Sequence, residues 1–153
     1  MPEQAGKEKE LIYQASARFM GGFFGLLAIW TVVTAPLLVR RFQQGVFRED
    51  WLYWFMIGFF YLFTWFWSLG LFYRIAMDAD GRIQMKSLRR TLALSAQQIL
   101  AIEGSRFSGG FGFIRFKLSR ESAYLFCRRR DNEIDEILRE IRRINPLVKT
   151  IRI

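Results

Sequence analysis

Three stretches of the chain carry side chains whose types and spacing could do chemistry. The first is the glycine-rich run Gly104-Ser105-Arg106-Phe107-Ser108-Gly109-Gly110-Phe111-Gly112. A phosphate-cradling loop needs glycines so that backbone N–H groups can approach the anion, followed by Lys and then Ser or Thr for the phosphates and magnesium. Here the G-x-x-x-x-G opening continues as Gly110-Phe111, so those ligands are missing. The run reads either as a connection between strands, where glycine supplies positive φ, or as a contact loop for a partner. The second stretch, Asp78-Ala79-Asp80-Gly81, has the opening of a calcium loop without the later ligands or the closing glutamate, and reads as a hairpin turn. The third is Cys127 beside Arg128-Arg129-Arg130. Positive charge favours a thiolate, but the neighbouring Tyr124-Leu125-Phe126 makes a buried, structural thiol the simpler expectation.

Residues that are missing exclude more chemistry. The chain has no histidine, so it has no imidazole base, no Ser-His or Cys-His nucleophile pair, and no His ligand for zinc, haem or chlorophyll. Its single cysteine can close no intrachain disulfide, which fits a reducing compartment for the main domain. A protein without catalysis is expected, and neither a metal nor a resident cofactor is called for.

The elements that would position these residues begin in the membrane. Of the 153 residues 52% are hydrophobic and 17% aromatic, heavy for a water-facing domain of this size. Phe19–Val39 contains no ionisable side chain across 21 residues, and a bilayer core about 30 Å thick needs roughly 20. A cleaved signal peptide would end in a small-residue site, which Pro36-Leu37-Leu38 does not offer. Residues 51–73 form a second apolar stretch with 13 aromatics, Trp51 and Trp54 near one end and Trp65, Trp67 and Tyr73 near the other, placed as interfacial belts. The loop 40–50 between them is short, so the expectation is an antiparallel transmembrane hairpin preceded by a tail, residues 1–18. Eight basic residues flank the outer ends of the two spans against three in the loop, which puts both termini in the cytoplasm.

Two surfaces of the hairpin invite contact. Gly21, Gly22, Gly25 and Ala28 form a small-residue strip that admits a close helix, either the second span or a helix of another subunit. The aromatic wall of the second span could lie against lipid, partner helices, or the tail of a pigment or quinone. No intramembrane charge is present, so no ion pathway or proton relay can be drawn.

After Tyr73 the pattern changes. Arg74–Met77 and Arg82–Leu88 flank the Asp80-Gly81 turn, and Arg90–Leu94, Ile99–Glu103, Gly112–Leu118 and Ala123–Arg128 are further strand candidates. In the run ending at Leu118, apolar Ile114, Phe116 and Leu118 alternate with polar side chains, as in a sheet with one buried face. Ile134, Ile137, Leu138, Ile141 and Ile144 then recur at helical spacing, with Asp131 or Asn132 as cap and Asn145-Pro146 as stop, giving a helix over about 132–145.

Short strands from Arg74-Ile75 to Lys86, the polar turn and isoleucine-rich strand Leu94–Ile102, and the helix Asp131–Pro146 resemble the bacterial pleckstrin-homology-like family of small membrane proteins. The resemblance implies a bacterial inner-membrane protein with a membrane α-helical hairpin plus an α+β cytoplasmic domain over 74–153, a small antiparallel barrel or sandwich closed by the C-terminal helix. In lipid-binding members of the wider superfamily basic residues flank the first hairpin loop and grip phosphoinositide. Here that loop carries Asp78 and Asp80, which would repel a phosphate.

From Arg74 onward the chain holds 17 bases and 9 acids, a net of +8. Arg82, Lys86, Arg89 and Arg90, with Arg128, Arg129 and Arg130, form clusters suited to anionic lipid headgroups or an acidic partner. No recognition helix or aromatic platform points to nucleic acid. The expected function is an accessory or scaffolding subunit of a larger membrane complex, its partners other integral membrane subunits. A membrane-surface module acting alone is the alternative.

Overall fold

The computed structural model describes residues 10–43, 51–104, 111–128 and 131–152. They form two compact units, Ser16–Leu69 and the described residues of Met1–Ala15 with Gly70–Ile153. The helical unit is therefore inserted into the sheet unit, whose chain lies on both sides of it in sequence.

The helical unit has two helices, α1 (Ala17–Gln43) and α2 (Trp51–Leu69), each long and apolar enough to cross a membrane. At 1.5 Å per residue they measure about 40 and 28 Å. Ser16 starts α1 by accepting the N–H of Phe19 on its hydroxyl at 3.3 Å. No residue of α1 and only Ser68 of α2 is buried, so the large side chains face outward, unlike those of a soluble core helix.

The sheet unit has eight strands: β1 (Leu11–Gln14), β2 (Phe72–Met77), β3 (Arg82–Ser87), β4 (Thr91–Ser95), β5 (Ala101–Gly104), β6 (Phe111–Lys117), β7 (Ser122–Arg128) and β8 (Lys149–Ile151). The order runs β4-β3-β2-β7-β6-β5-β8, with β1 also on β2. β1 to β4 pair as one antiparallel meander and β5 to β7 as another. The sheet is mixed rather than purely antiparallel, because β2 meets β7 in parallel at Phe72↔Leu125 and β8 adds to β5 in parallel. In β3 the side chains of Ile83 and Met85 are buried while Arg82, Gln84 and Lys86 are exposed, the alternation expected of a half-buried strand.

Helix α3 (Asn132–Ile144) buries Ile134, Ile137, Leu138 and Ile141, which sit at i, i+3, i+4 and i+7. They join the sheet's Phe72, Ile75, Met85, Ile102, Phe116 and Leu125 in one core. Asp131 caps the helix by accepting the N–H of Glu133 at 3.1 Å. At the other end Asn145 donates through Nδ2 to the carbonyls of Ala96 (3.2 Å) and Ile99 (2.9 Å), tying the helix end to the short 3-10 turn Ala96–Gln98.

Three boundaries differ from the sequence expectation. The segment before the first span is not only a tail, since Leu11–Gln14 pairs with β2 in the register Leu11↔Met77 to Gln14↔Arg74. The second apolar stretch does not stay helical to Tyr73: α2 stops at Leu69, and Phe72 and Tyr73 begin β2, with Phe72 1% exposed in the sheet core. Aromatic side chains suit strands as well as membrane helices, so composition alone does not mark this border. Finally, α1 continues through Arg40 and Arg41 to Gln43, while residues 44–50 of the expected loop lie outside the described residues.

Candidate functional site

The two apolar helices meet through hydroxyls and rings. Thr31 Oγ1 donates to the Leu27 carbonyl at 2.9 Å and accepts the indole N–H of Trp65 at 3.1 Å. Thr34, bonded to the Trp30 carbonyl, also bonds the Tyr61 hydroxyl, and Tyr61 stacks on Trp30 with centroids 4.6 Å apart. Further along, Phe42 meets Trp54 edge to face at 6.0 Å. Residue number falls along α2 as it rises along α1, so the helices run antiparallel. A threonine hydroxyl in an apolar helix satisfies itself on the i−4 carbonyl and still has capacity for a neighbour, so these residues join the helices rather than interrupt them.

The small-residue strip lies elsewhere. A Cβ placed on Gly21, Gly22 or Gly25 meets nothing within 4 Å, so α2 does not cover them. Of the expected aromatic contacts, Trp54 and Trp65 are used within the helix pair, Trp51 and Trp67 are exposed, and Tyr73 belongs to the sheet. The outward aromatic stripe runs through Phe55, Phe59 and Phe63, stacked at 6.4 and 5.9 Å. Their i, i+4 spacing was the signal in the sequence.

The basic residues divide likewise. Arg82 and Lys86 stand on the exposed face of β3, four residues apart, and Arg89 is exposed in the turn that follows. Arg90 is instead held inward: its guanidinium pairs with Glu121 at 2.7 Å and lies 5.5 Å from the centroid of the Phe72 ring. Arg128 ends β7, its backbone N–H donating to the Tyr13 hydroxyl at 3.1 Å, and Arg129 and Arg130 lie outside the described residues. One cation that the sequence pattern does not single out joins this group: Arg74 is directly opposite Lys86 across β2 and β3. Like charges so placed repel unless an anion relieves them.

The chemically suggestive stretches have structural uses. Asp78 accepts the backbone N–H of Arg82 on Oδ1 at 2.9 Å, and Gly81 has a φ of 77°, the left-handed conformation this turn requires. Cys127 is buried, and desolvation pushes its thiol up to about 12, so it stays protonated and unreactive at neutral pH. Burial likewise pushes the Tyr13 phenol up to about 12, keeping its hydroxyl neutral as a link between β1 and β7. The glycine-rich run joins β5 to β6, and residues 105–110 lie outside the described residues.

Fold and surfaces together define a small protein that combines two membrane-length apolar helices with a mixed eight-stranded sheet unit. No family model, curated protein or solved structure matches the chain.

Proposed function

We propose that the chain is a two-span inner-membrane protein, both termini cytoplasmic, that acts without catalysis as an accessory subunit of a larger membrane complex. The double crossing is supported by β1: it precedes α1, pairs with β2 after α2, and can do so only if both ends of the helix pair emerge on one side. The excess of bases beside those ends makes that side the cytoplasm. Two antiparallel meanders followed by α3 in the core support a pleckstrin-homology-like reading of the sheet unit.

The observation that carries the accessory role is the open glycine face of α1. The helix pair is already joined through Thr31, Thr34, Tyr61 and Trp65, leaving Gly21, Gly22, Gly25 and Ala28 to admit a helix from another subunit at close range. The Phe55–Phe59–Phe63 stripe offers a second, broader contact. Gly25→Leu adds bulk to that approach at a position where an added Cβ meets nothing within 4 Å. The variant is expected to insert and fold normally but to be lost from the complex with which the unmodified protein co-migrates in mild detergent. Full retention of the variant, or a wild-type protein that runs without a stoichiometric membrane companion, contradicts this role.

A further inference from the structure

The turn between β3 and β4 presents a leucine to solvent among bases. Leu88 is 58% exposed and is flanked by Lys86 and Arg89. The turn does not hold Leu88 out through looseness. Ser87, 5% exposed, accepts the N–H of Arg90 on Oγ and donates to the Arg90 carbonyl, each at 2.9 Å, while its own N–H bonds that same carbonyl. The Arg90 side chain is fixed on Glu121 and Phe72. An apolar side chain is thus kept in water by a braced turn, at a free-energy cost that burial in an apolar medium would remove.

Register places this turn at the end of the β2–β3 hairpin where the chain enters from α2. Ser87 is the Cα partner of Phe72 and Lys86 that of Arg74. Phe72 follows Leu69, the last residue of α2, by three residues, a reach of about 11 Å at most. The acids of the hairpin, Asp78 and Asp80, occupy its other end, four to six residues along the strand from Arg74. Half-buried Arg74 and exposed Lys86 are cross-strand partners, and neither makes an ion pair among the described residues. The hairpin therefore carries Arg74, Lys86 and Arg89 with one exposed leucine at the end that continues from α2, and Asp78, Asp80 and Arg82 at the other.

We propose that this turn is an interfacial anchor: Leu88 enters the headgroup–acyl boundary of the bilayer the spans cross, and Arg74, Lys86 and Arg89 hold the phosphates of anionic phospholipids. The chemistry is that of interfacial segments generally, a shallow apolar insertion combined with attraction of bases to the negative leaflet. It rests on the two-span reading. It also differs from a grip on inositide headgroups at the Asp78–Gly81 loop, since Arg74, Lys86 and Arg89 lie at the opposite end of the hairpin.

The test uses the full-length protein in nanodiscs of phosphatidylcholine, with or without phosphatidylglycerol. Nitroxide labels are placed through Leu88→Cys, Ala79→Cys or Leu62→Cys in a Cys127→Ala background. The label at position 62, in the middle of α2, reports whether the span crosses. With that label in the acyl region, the label at 88 should be roughly threefold less accessible to a water-soluble relaxation agent than the one at 79, and more so with phosphatidylglycerol. Arg74→Gln with Lys86→Gln should erase the dependence on phosphatidylglycerol. Equal accessibility at 88 and 79 overturns the anchor while leaving the span intact, and shielding that ignores phosphatidylglycerol overturns the headgroup assignment. A water-exposed label at 62 overturns the two-span reading and the anchor with it.

Discussion

Tyr13→Ala is expected to destabilise the sheet unit by about 3–5 kcal/mol, the range for removing a large buried aromatic side chain. Tyr13 is 2% exposed and is the central apolar contact of a four-residue strand, so few neighbouring side chains can collapse into the space it leaves. Its hydroxyl accepts the N–H of Arg128 at 3.1 Å, which ties the segment before α1 to β7 near the other end of the chain. Tyr13→Phe keeps the ring and loses that bond, and should cost only about 1 kcal/mol. Urea unfolding of the full-length protein in detergent, followed by strand circular dichroism, separates the two, because the apolar helices persist after the sheet has melted. Equal stability of Tyr13→Ala and the unmodified protein would mean that β1 contributes nothing to the sheet.

The second large effect is at Ile137. It is 0% exposed at the centre of the α3 stripe. Ile137→Ala removes three carbons from a close-packed site and should cost about 2–5 kcal/mol. Ile137→Asp adds a carboxylate that has no partner in the core; since a domain of this size holds only about 5–15 kcal/mol of stability, the sheet unit should not fold. Arg142→Ala, on the exposed face of the same helix, should stay within about 0.5 kcal/mol of the unmodified protein. Expression and protease resistance of the three variants would rank them, and a folded Ile137→Asp protein would show that α3 is not part of the core.

How much of this was legible depends on how much chain each pattern occupies. The α3 stripe repeats over 13 residues, and of the five positions that the spacing places on one face, Ile134, Ile137, Leu138 and Ile141 are buried and Ile144 is partly buried against the core. In β6, the alternation read along the run to Leu118 separates Ile114 and Phe116, which are buried, from Lys117, which is exposed. β1 has only four residues, and the run Leu11-Ile12-Tyr13 beside a span resembles the flank of that span. The end of α2 was hidden because Phe72 and Tyr73 continue an aromatic run whose composition suits both a helix and a strand. β8, with three exposed residues, carries no periodic signal at all, and its parallel pairing with β5 depends on where α3 returns the chain.

The contact surfaces were less legible than the elements. Composition identified threonines in an apolar helix and a cluster of arginines, but whether a polar side chain is available depends on what it bonds. Thr31 and Thr34 proved to join the helices, which left the glycine face open, and Arg90 proved to be held by Glu121 and Phe72. Arg74 and Leu88 gained their significance only from register, which set one opposite Lys86 and placed the other beyond Ser87.

The central claim is that the chain crosses the membrane twice and builds its sheet from both ends on the cytoplasmic side. Impermeant maleimide labelling of intact spheroplasts tests it directly, using single cysteines at Gln44, between the spans, and at Ala79, in the sheet unit. Both are made in a Cys127→Ala background, so that each variant holds one thiol. The account predicts that Gln44→Cys reacts from outside and that Ala79→Cys reacts only after lysis. Labelling of Ala79→Cys from outside with Gln44→Cys protected would invert the orientation, and labelling of both from outside would contradict the double crossing itself.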